Sequence, residues 1–274
     1  MDLKPLLRRL RASPAGPIVN YPRRILHNLP LASQPLRELA VWGFKSREDT
    51  NYTYQLTRSN ERHLAHAIAK VTGVGAQEAL GYIDELKSDK ELADHIISAT
   101  ASGPYRGHAD LRADYSKRLG WYAIARILKP EVVVETGIDK GLGSVVLAAA
   151  LIRNGRGRLY GTDINPRAGQ FLTGRYAEVS EILYGDSLKS LAAFDRTIDL
   201  FINDSDHSAR YEREEYEMIH EKLSPTAIVL GDNAHCTDEL IDWSEEVGRQ
   251  FLFWSEKPQG HWYPGCGIGF SFPA

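Results

Sequence analysis

The chain has 274 residues, 43% hydrophobic and 25% charged, with a formal net charge of -3, a composition that fits a globular chain with a sizeable core and excludes a mainly disordered one. No run of about 18 apolar residues offers a membrane span, and the proline- and arginine-broken start lacks the apolar core of an export signal, so a cytoplasmic protein is expected. Cys236 and Cys266 are too few for a disulfide framework or a thiolate metal centre, and the mild acidity gives no nucleic-acid footprint.

Residues 1–56 read as a basic, proline-rich arm. Lys4, Arg8, Arg9, Arg11, Arg23, Arg24 and Arg37 face only Asp2 within residues 1–37, and six of the 13 prolines lie there. Little regular structure is expected beyond a short helix around Leu6 to Leu10. The arm is read as solvated or draped on a partner, with an anionic-surface anchor as the competing reading. Residues 57–105 read as helices. Ser59 or Asn60 can cap a helix carrying Leu64, Ile68 and Val71, with Gly73 at its end. A second helix is expected near 76–86, and a third opens on Ser88 with Glu91 at capping-box spacing and buries Leu92 and Ile96. A longer one, about 107–128, places Leu111, Tyr115, Leu119, Tyr122 and Ile127 near helical spacing, before Lys129-Pro130 ends it.

From Glu131 the rhythm changes to short apolar runs at 132–134, 158–161, 181–184, 198–202, 227–230 and 251–254, separated by stretches long enough for crossover helices. Such an order predicts a parallel sheet with helices on both faces. The last run, in which Cys266, Ile268, Phe270 and Phe272 alternate with small residues, follows after a loop of about 11 residues, too short for a helical crossover. The expected fold is therefore α/β: a doubly wound seven-stranded sheet, six strands parallel and the last antiparallel, with an N-terminal helical region.

The first strand runs into Glu135-Thr136-Gly137-Ile138-Asp139-Lys140-Gly141-Leu142-Gly143-Ser144 and an apolar helix. Glycines at such a turn let a ligand approach the backbone, and the helix start offers free N–H donors. The spacing G-x-x-x-G-x-G differs from the dinucleotide pattern G-x-G-x-x-G, and an acid just before the loop suits a cationic amino-acid end better than a phosphate. The second strand ends at Asp163, where a carboxylate can take both ribose hydroxyls, and the third ends in Asp186-Ser187, within reach of an adenine edge. Over about 106–274 the sequence resembles the class I S-adenosylmethionine-dependent methyltransferases. By that resemblance Glu135, Gly137 and Gly141 line the methionine end, Asp163 holds the ribose, and Asp186 with Ser187 sits at the adenine. Asp204 joins the cofactor side, as does Ser144, which stands one place later than the carboxylate-binding serine of some relatives.

The fourth strand closes on Asn203-Asp204-Ser205-Asp206-His207 and the fifth on Gly231-Asp232-Asn233-Ala234-His235. In doubly wound order these strands are neighbours, so both clusters fall at one carboxyl edge. Oxygen donors gathered there suit a hard cation, Mg²⁺ first, while helix capping by Asp206 and Asp232 is the plain structural reading. The pattern resembles the metal-dependent O-methyltransferases of the catechol and caffeoyl-CoA type, and more closely the macrolide-sugar O-methyltransferases. The resemblance implies Asp204, Asp232 and Asn233 as metal ligands. It also puts His207 where the catechol type carries lysine and the sugar-modifying enzymes carry histidine, which favours a sugar or other aliphatic hydroxyl as acceptor. An alcohol is about as weak an acid as water, and a general base supplies about 10²–10⁴-fold, so base and cation together favour oxygen as the acceptor. His207 is the expected general base.

The implied activity is an S-adenosylmethionine- and divalent-metal-dependent O-methyltransferase acting on a small hydroxylated molecule, with homo-oligomerisation left open. The helical region preceding the domain, by the same resemblance, covers the acceptor site or forms a dimer contact. Competing readings are a metal-independent methyltransferase acting on nitrogen or a carboxylate, a catechol-like phenol methyltransferase, a nicotinamide-dependent oxidoreductase and a non-catalytic binding module.

Overall fold

The computed structural model describes residues 4–48, 52–104 and 106–274. The chain divides into two units, residues 1–46 with 260–263, and residues 47–259 with 264–274. In the first, the arm is helical far beyond the short helix expected around Leu6 to Leu10. Helix α1 spans Lys4–Ala12 and α2 spans Gly16–Lys45, with Pro22, Pro30 and Pro35 inside it. Each proline deletes one amide donor, but the prolines lie five or more residues apart, so the turns between them keep their bonds. Pro17 stands in the first turn, where no donor is needed. Ile18, Ile25, Leu29 and Leu36 run exposed along one face of α2. Near its end, Trp42 packs edge-on against Trp262 (ring centroids 5.4 Å apart) and His261 (6.1 Å).

The second unit begins with helices α3 (Arg58–Thr72), α4 (Ala76–Lys87) and α5 (Lys90–Ser102). Their caps sit beside the expected residues: Thr57 accepts from Asn60 N–H at 3.3 Å, and Asp89 rather than Ser88 accepts from Leu92 N–H at 3.0 Å. Gly73 ends α3 in the left-handed region, as its position predicts. The expected long helix over 107–128 is halved. Only α6 (Arg118–Leu128) is helical, and residues 106–117 form a loop that ends on Ser116 at φ 45°. Leu111, which the helical stripe would bury, is 49% exposed. Ser116, outside the helical region, interrupts the run, and the loop delivers Lys117, and the first turn of α6 Arg118, to carboxylates more than 80 residues away in sequence.

The remaining elements are β1 (Val132–Thr136), α7 (Leu142–Asn154), β2 (Arg158–Asp163), α8 (Arg175–Glu178), β3 (Ser180–Tyr184), α9 (Ser187–Ala193), β4 (Ile198–Asn203), α10 (Ala209–His220), β5 (Leu223–Asp232), α11 (Glu239–Glu246), β6 (Gln250–Ser255) and β7 (Gly267–Phe272). The sheet order is β3-β2-β1-β4-β5-β7-β6, with β7 antiparallel to both neighbours and the other six strands parallel. This is the sheet that the sequence predicts. Alternate residues Val134, Tyr160, Phe201 and Val229 bury one face of the sheet against Tyr216 and Ile219 of α10 and Leu240 and Trp243 of α11. Gly143 allows α7 to close on α6, since a Cβ there would lie 2.4 Å from the Trp121 ring. The register pairs Thr136 with Thr162 and Asn203, and Asn203 with Gly231, so the ends of β1, β2, β4 and β5 form one level edge. No described helix is long and apolar enough to cross a membrane.

Candidate active site at the carboxyl edge of the sheet

The first half of the edge is built around Glu135, the penultimate residue of β1. It is buried, and its Oε2 accepts from Ser144 Oγ at 2.5 Å. Burial pushes its carboxyl up to about 8, against the downward pull of Ser144 and Arg118. Gly137, at φ 78°, brings the loop after β1 against the loop after β4, where a Cβ would lie 2.0 Å from the Asp204 carbonyl oxygen. Gly141, at φ 88°, lies against Gly169 and starts α7 with no side-chain cap, leaving its first N–H groups open. At the end of β2, Asp163 accepts from Asp139 N–H at 2.8 Å and Asn165 N–H at 2.7 Å, tying the two glycine-loop strands together. Asp186 caps α9 through Oδ1, which accepts from Leu188 N–H at 2.9 Å. Ser187 bonds the Tyr211 hydroxyl at 2.8 Å and donates to Glu215.

Glu215 and Glu212 were not singled out by sequence. Both sit on the face of α10 that carries Tyr216 and Ile219, and both are buried. That shared spacing, 212, 215, 216 and 219, was the available signal. Glu215 accepts from the Thr136 and Ser205 hydroxyls, each at 2.9 Å, and from Ser187 and Asn203, although burial still holds its carboxyl above the usual range. It fastens the ends of β1, β3 and β4 to one helix.

The second half of the edge holds Asp204, His207, Asp232 and Asn233. Donor atoms of Asp204, His207 and Asp232 all fall within 4.8 Å of one another. Lys117 Nζ donates to Asp232 Oδ2 at 2.6 Å and to Asn233 Oδ1 at 3.0 Å. Because that amide oxygen faces Lys117, the Asn233 Nδ2 donates to His207 Nε2 at 3.0 Å. His207 Nε2 is therefore the unprotonated nitrogen, and Nδ1–H donates to Glu212 Oε1 at 3.1 Å. Arg118 Nη2 lies 3.9 Å from Asp204 Oδ2, its guanidinium 5.4 Å from the Trp121 ring centre. Burial and the facing Asp232 push the Asp204 carboxyl well up. On Asp232 burial is the largest single influence and acts upward too, but Lys117, the contact with Asp204 and Arg118 together hold the group below its usual range.

The oxygens implied as metal ligands are thus brought together, but the seat between Asp232 and Asn233 is filled by the Lys117 ammonium. As placed, Asp232 Oδ2 and Asn233 Oδ1 are both spent on that ammonium, with Asp232 Oδ1 left buried without a hydrogen-bond partner among the described residues, so the implied set of Asp204, Asp232 and Asn233 does not fit a divalent ion while Lys117 stays there. The signal for Lys117 and Arg118 was a pair of charges abutting the apolar run 119–125. Asp206 lies off the cluster and accepts from Ser208 N–H at 2.8 Å. Asp199 faces the other end of the sheet, accepting from Glu131 N–H at 2.9 Å. His235 is exposed.

Residues 134–234 match a family model described as a methyltransferase domain. Among solved structures, the chain is similar to a methyltransferase from Geobacter sulfurreducens. The two are 19% identical, with 66% of this chain and 90% of that one covered, at a TM-score of 0.50. It is also similar to the O-methyltransferase TomG from Streptomyces achromogenes, involved in tomaymycin synthesis and solved in complex with SAM (15% identity, 66% and 90% covered, TM-score 0.49). A third similar structure is an O-methyltransferase from Bacillus cereus in complex with SAH (12% identity, 77% and 97% covered, TM-score 0.46). No curated protein matches the chain. At these identities the structural likeness is one of fold.

Proposed function

We propose that the chain is a class I S-adenosylmethionine-dependent methyltransferase, a reading the methyltransferase-domain match over residues 134–234 supports, and that it methylates oxygen, at a hydroxyl of a sugar or another small natural-product or glycan acceptor. The observation that carries this reading is the wiring of His207, with Nδ1 on Glu212 and Nε2 turned toward Asp204 and Asn233. A free amine is already nucleophilic and needs no such group. A hydroxyl must lose its proton as it reacts, and an aliphatic one, about as weak an acid as water, needs far more help than a phenol.

S-adenosylmethionine, when bound, supplies the electrophilic methyl carbon. In this proposal Glu135 holds the ammonium of its methionine end, with Gly137 and Gly141 shaping the backbone there and Ser144 fixing the Glu135 carboxyl. Asp163 takes the ribose hydroxyls. Asp186, through the oxygen not spent on capping α9, and Ser187 line the adenine. His207 Nε2 takes the acceptor's proton in the place now held by the Asn233 amide, and Glu212 stabilises the resulting imidazolium. Asp204, on the cofactor side, faces Arg118. Divalent-metal dependence, which the resemblance implies, does not enter this proposal, because Lys117 stands in the seat that Asp204, Asp232 and Asn233 would otherwise offer.

Incubating the protein with methyl-labelled S-adenosylmethionine and a set of small hydroxylated acceptors, sugars included, is expected to give an alkali-stable labelled ether. Label found only in amines, or in an alkali-labile methyl ester, overturns the oxygen-hydroxyl assignment. Cofactor affinity is also expected to depend on pH. The free protein keeps a proton on Glu135 up to about 8, whereas a cofactor ammonium favours the carboxylate, so binding releases that proton. Affinity measured by calorimetry therefore rises between pH 6 and 7.5, by up to about tenfold per unit, and Glu135→Gln flattens the profile. A flat profile in the unaltered protein removes Glu135 from the cofactor site.

A further inference from the structure

We propose that Lys117 takes the place of a divalent metal in this active site: its ammonium occupies the ion's seat between Asp232 and Asn233 and presents a cation to the acceptor oxygen. This rests on the reading of His207 as the base for a hydroxyl acceptor. Its foundation is the geometry of the cluster. An ammonium carries three N–H donors. Two are spent, on Asp232 Oδ2 at 2.6 Å and Asn233 Oδ1 at 3.0 Å, and none of the described residues accepts the third.

The group is held firmly. Lys117 is the residue before α6, its side chain is 8% exposed, and Asp232 opposite it is 3% exposed. The neighbouring residue, Arg118, brings a second cation to Asp204 at 3.9 Å. Two acids thus already face two bases. A divalent ion added to this set would bring two more positive charges and no anion, and would have to share Asp232 with an ammonium already paired to it or expel that ammonium. Breaking such a pair is strongly unfavourable, because it strands a charge out of water.

The chemistry asked of an ion can be done by this lysine. A cation beside the acceptor oxygen favours its ionised form as the proton leaves for His207, and it orients the oxygen through a charge-assisted hydrogen bond. Asn233 links the two groups physically, since its amide oxygen accepts from Lys117 while its nitrogen donates to His207 Nε2. When an acceptor hydroxyl replaces the amide nitrogen at Nε2, it arrives next to the ammonium. In the balanced step the hydroxyl proton passes to Nε2 and a C–O bond forms to the methyl carbon. The methyl–sulfur bond breaks, its electron pair staying on sulfur.

The test reads Mn²⁺ binding by electron spin resonance on the full chain, with neither cofactor nor acceptor present, so it does not depend on the proposed reaction. The unaltered protein is expected to leave Mn²⁺ free at 1 mM. Lys117→Met, which keeps the length of the side chain and removes its charge, is expected to bind Mn²⁺ at least tenfold more tightly, and Asp232→Asn in that background to abolish the gain. Mn²⁺ bound by the unaltered protein at micromolar concentration overturns the proposal, and this measurement needs no variant to fold. Methyl transfer that stops in EDTA and returns with Mg²⁺ overturns it as well, while leaving the hydroxyl-acceptor reading standing. Label going to amines would instead sink that reading and leave the Mn²⁺ result intact.

Discussion

Replacing His207 by alanine is expected to lower kcat by about 10²–10⁴-fold, the usual contribution of a general base, or roughly 3–5 kcal/mol of barrier. Cofactor binding should be nearly unchanged, because the Glu135 and Asp163 half of the edge is assembled on β1 and β2 without His207. The loss should depend on the acceptor. A phenol, a much stronger acid than an aliphatic alcohol, needs far less assistance, so a phenolic surrogate should lose fewer powers of ten. Initial rates at saturating acceptor and cofactor check this, with cofactor affinity measured separately. A fall of less than threefold would remove His207 from the chemistry. Glu212 acts on the same ring from behind, through the bond to Nδ1. It holds the tautomer in which Nε2 is the basic nitrogen.

The largest expected stability change belongs to Glu215→Ala. One buried carboxylate here serves three hydroxyls and an amide, from Thr136, Ser187, Ser205 and Asn203. Truncation leaves all four donors around a small void, and hydrogen bonds to a charged group are worth about 1.5–3 kcal/mol each, though not additively. A loss of about 3–5 kcal/mol is expected, which for a chain this size lowers Tm by roughly 10 °C. Glu215→Gln, which fills the same space and keeps one acceptor oxygen, should lose well under half of that. Calorimetric melting of the three proteins is the measurement. A Tm within 2 °C of the parent for Glu215→Ala would mean that these donors are satisfied some other way.

What the sequence made legible follows the range of the forces involved. The strands of the sheet announce themselves as short apolar runs, most plainly the inner ones, which are buried against neighbours on both sides. The antiparallel β7 was readable from the length of the loop before it. The strand-end residues followed from topology, since doubly wound order brings the ends of β4 and β5 together whatever their side chains. The missed features are those in which a charge finds a distant partner. Periodicity placed Leu111 inside a helix, yet the helix starts only at residue 118, where Lys117 and Arg118 meet Asp232 and Asp204 from far along the chain. Glu212 and Glu215 look like ordinary exposed acids on α10 until the donors of β1, β3 and β4 are seen to close over them. In the arm, six prolines argued against regular structure, but their spacing leaves whole turns free between them.

The placement of β7 bears on the order in which the molecule can be built. Among the described residues it is the last strand in sequence, yet it lies inside the sheet, and β6 has no strand neighbour there except β7. Asp232 is paired directly with Ile268 on that strand, and Gly231 with Gly269. During synthesis, β5 and β6 must therefore wait with bare edges until residues 267–272 emerge, and such edges invite pairing with other chains. Until that strand slots in, the turn carrying Asp232 and Asn233 has a free flank, so a nascent chain that already possesses its glycine loop is still without a finished catalytic edge.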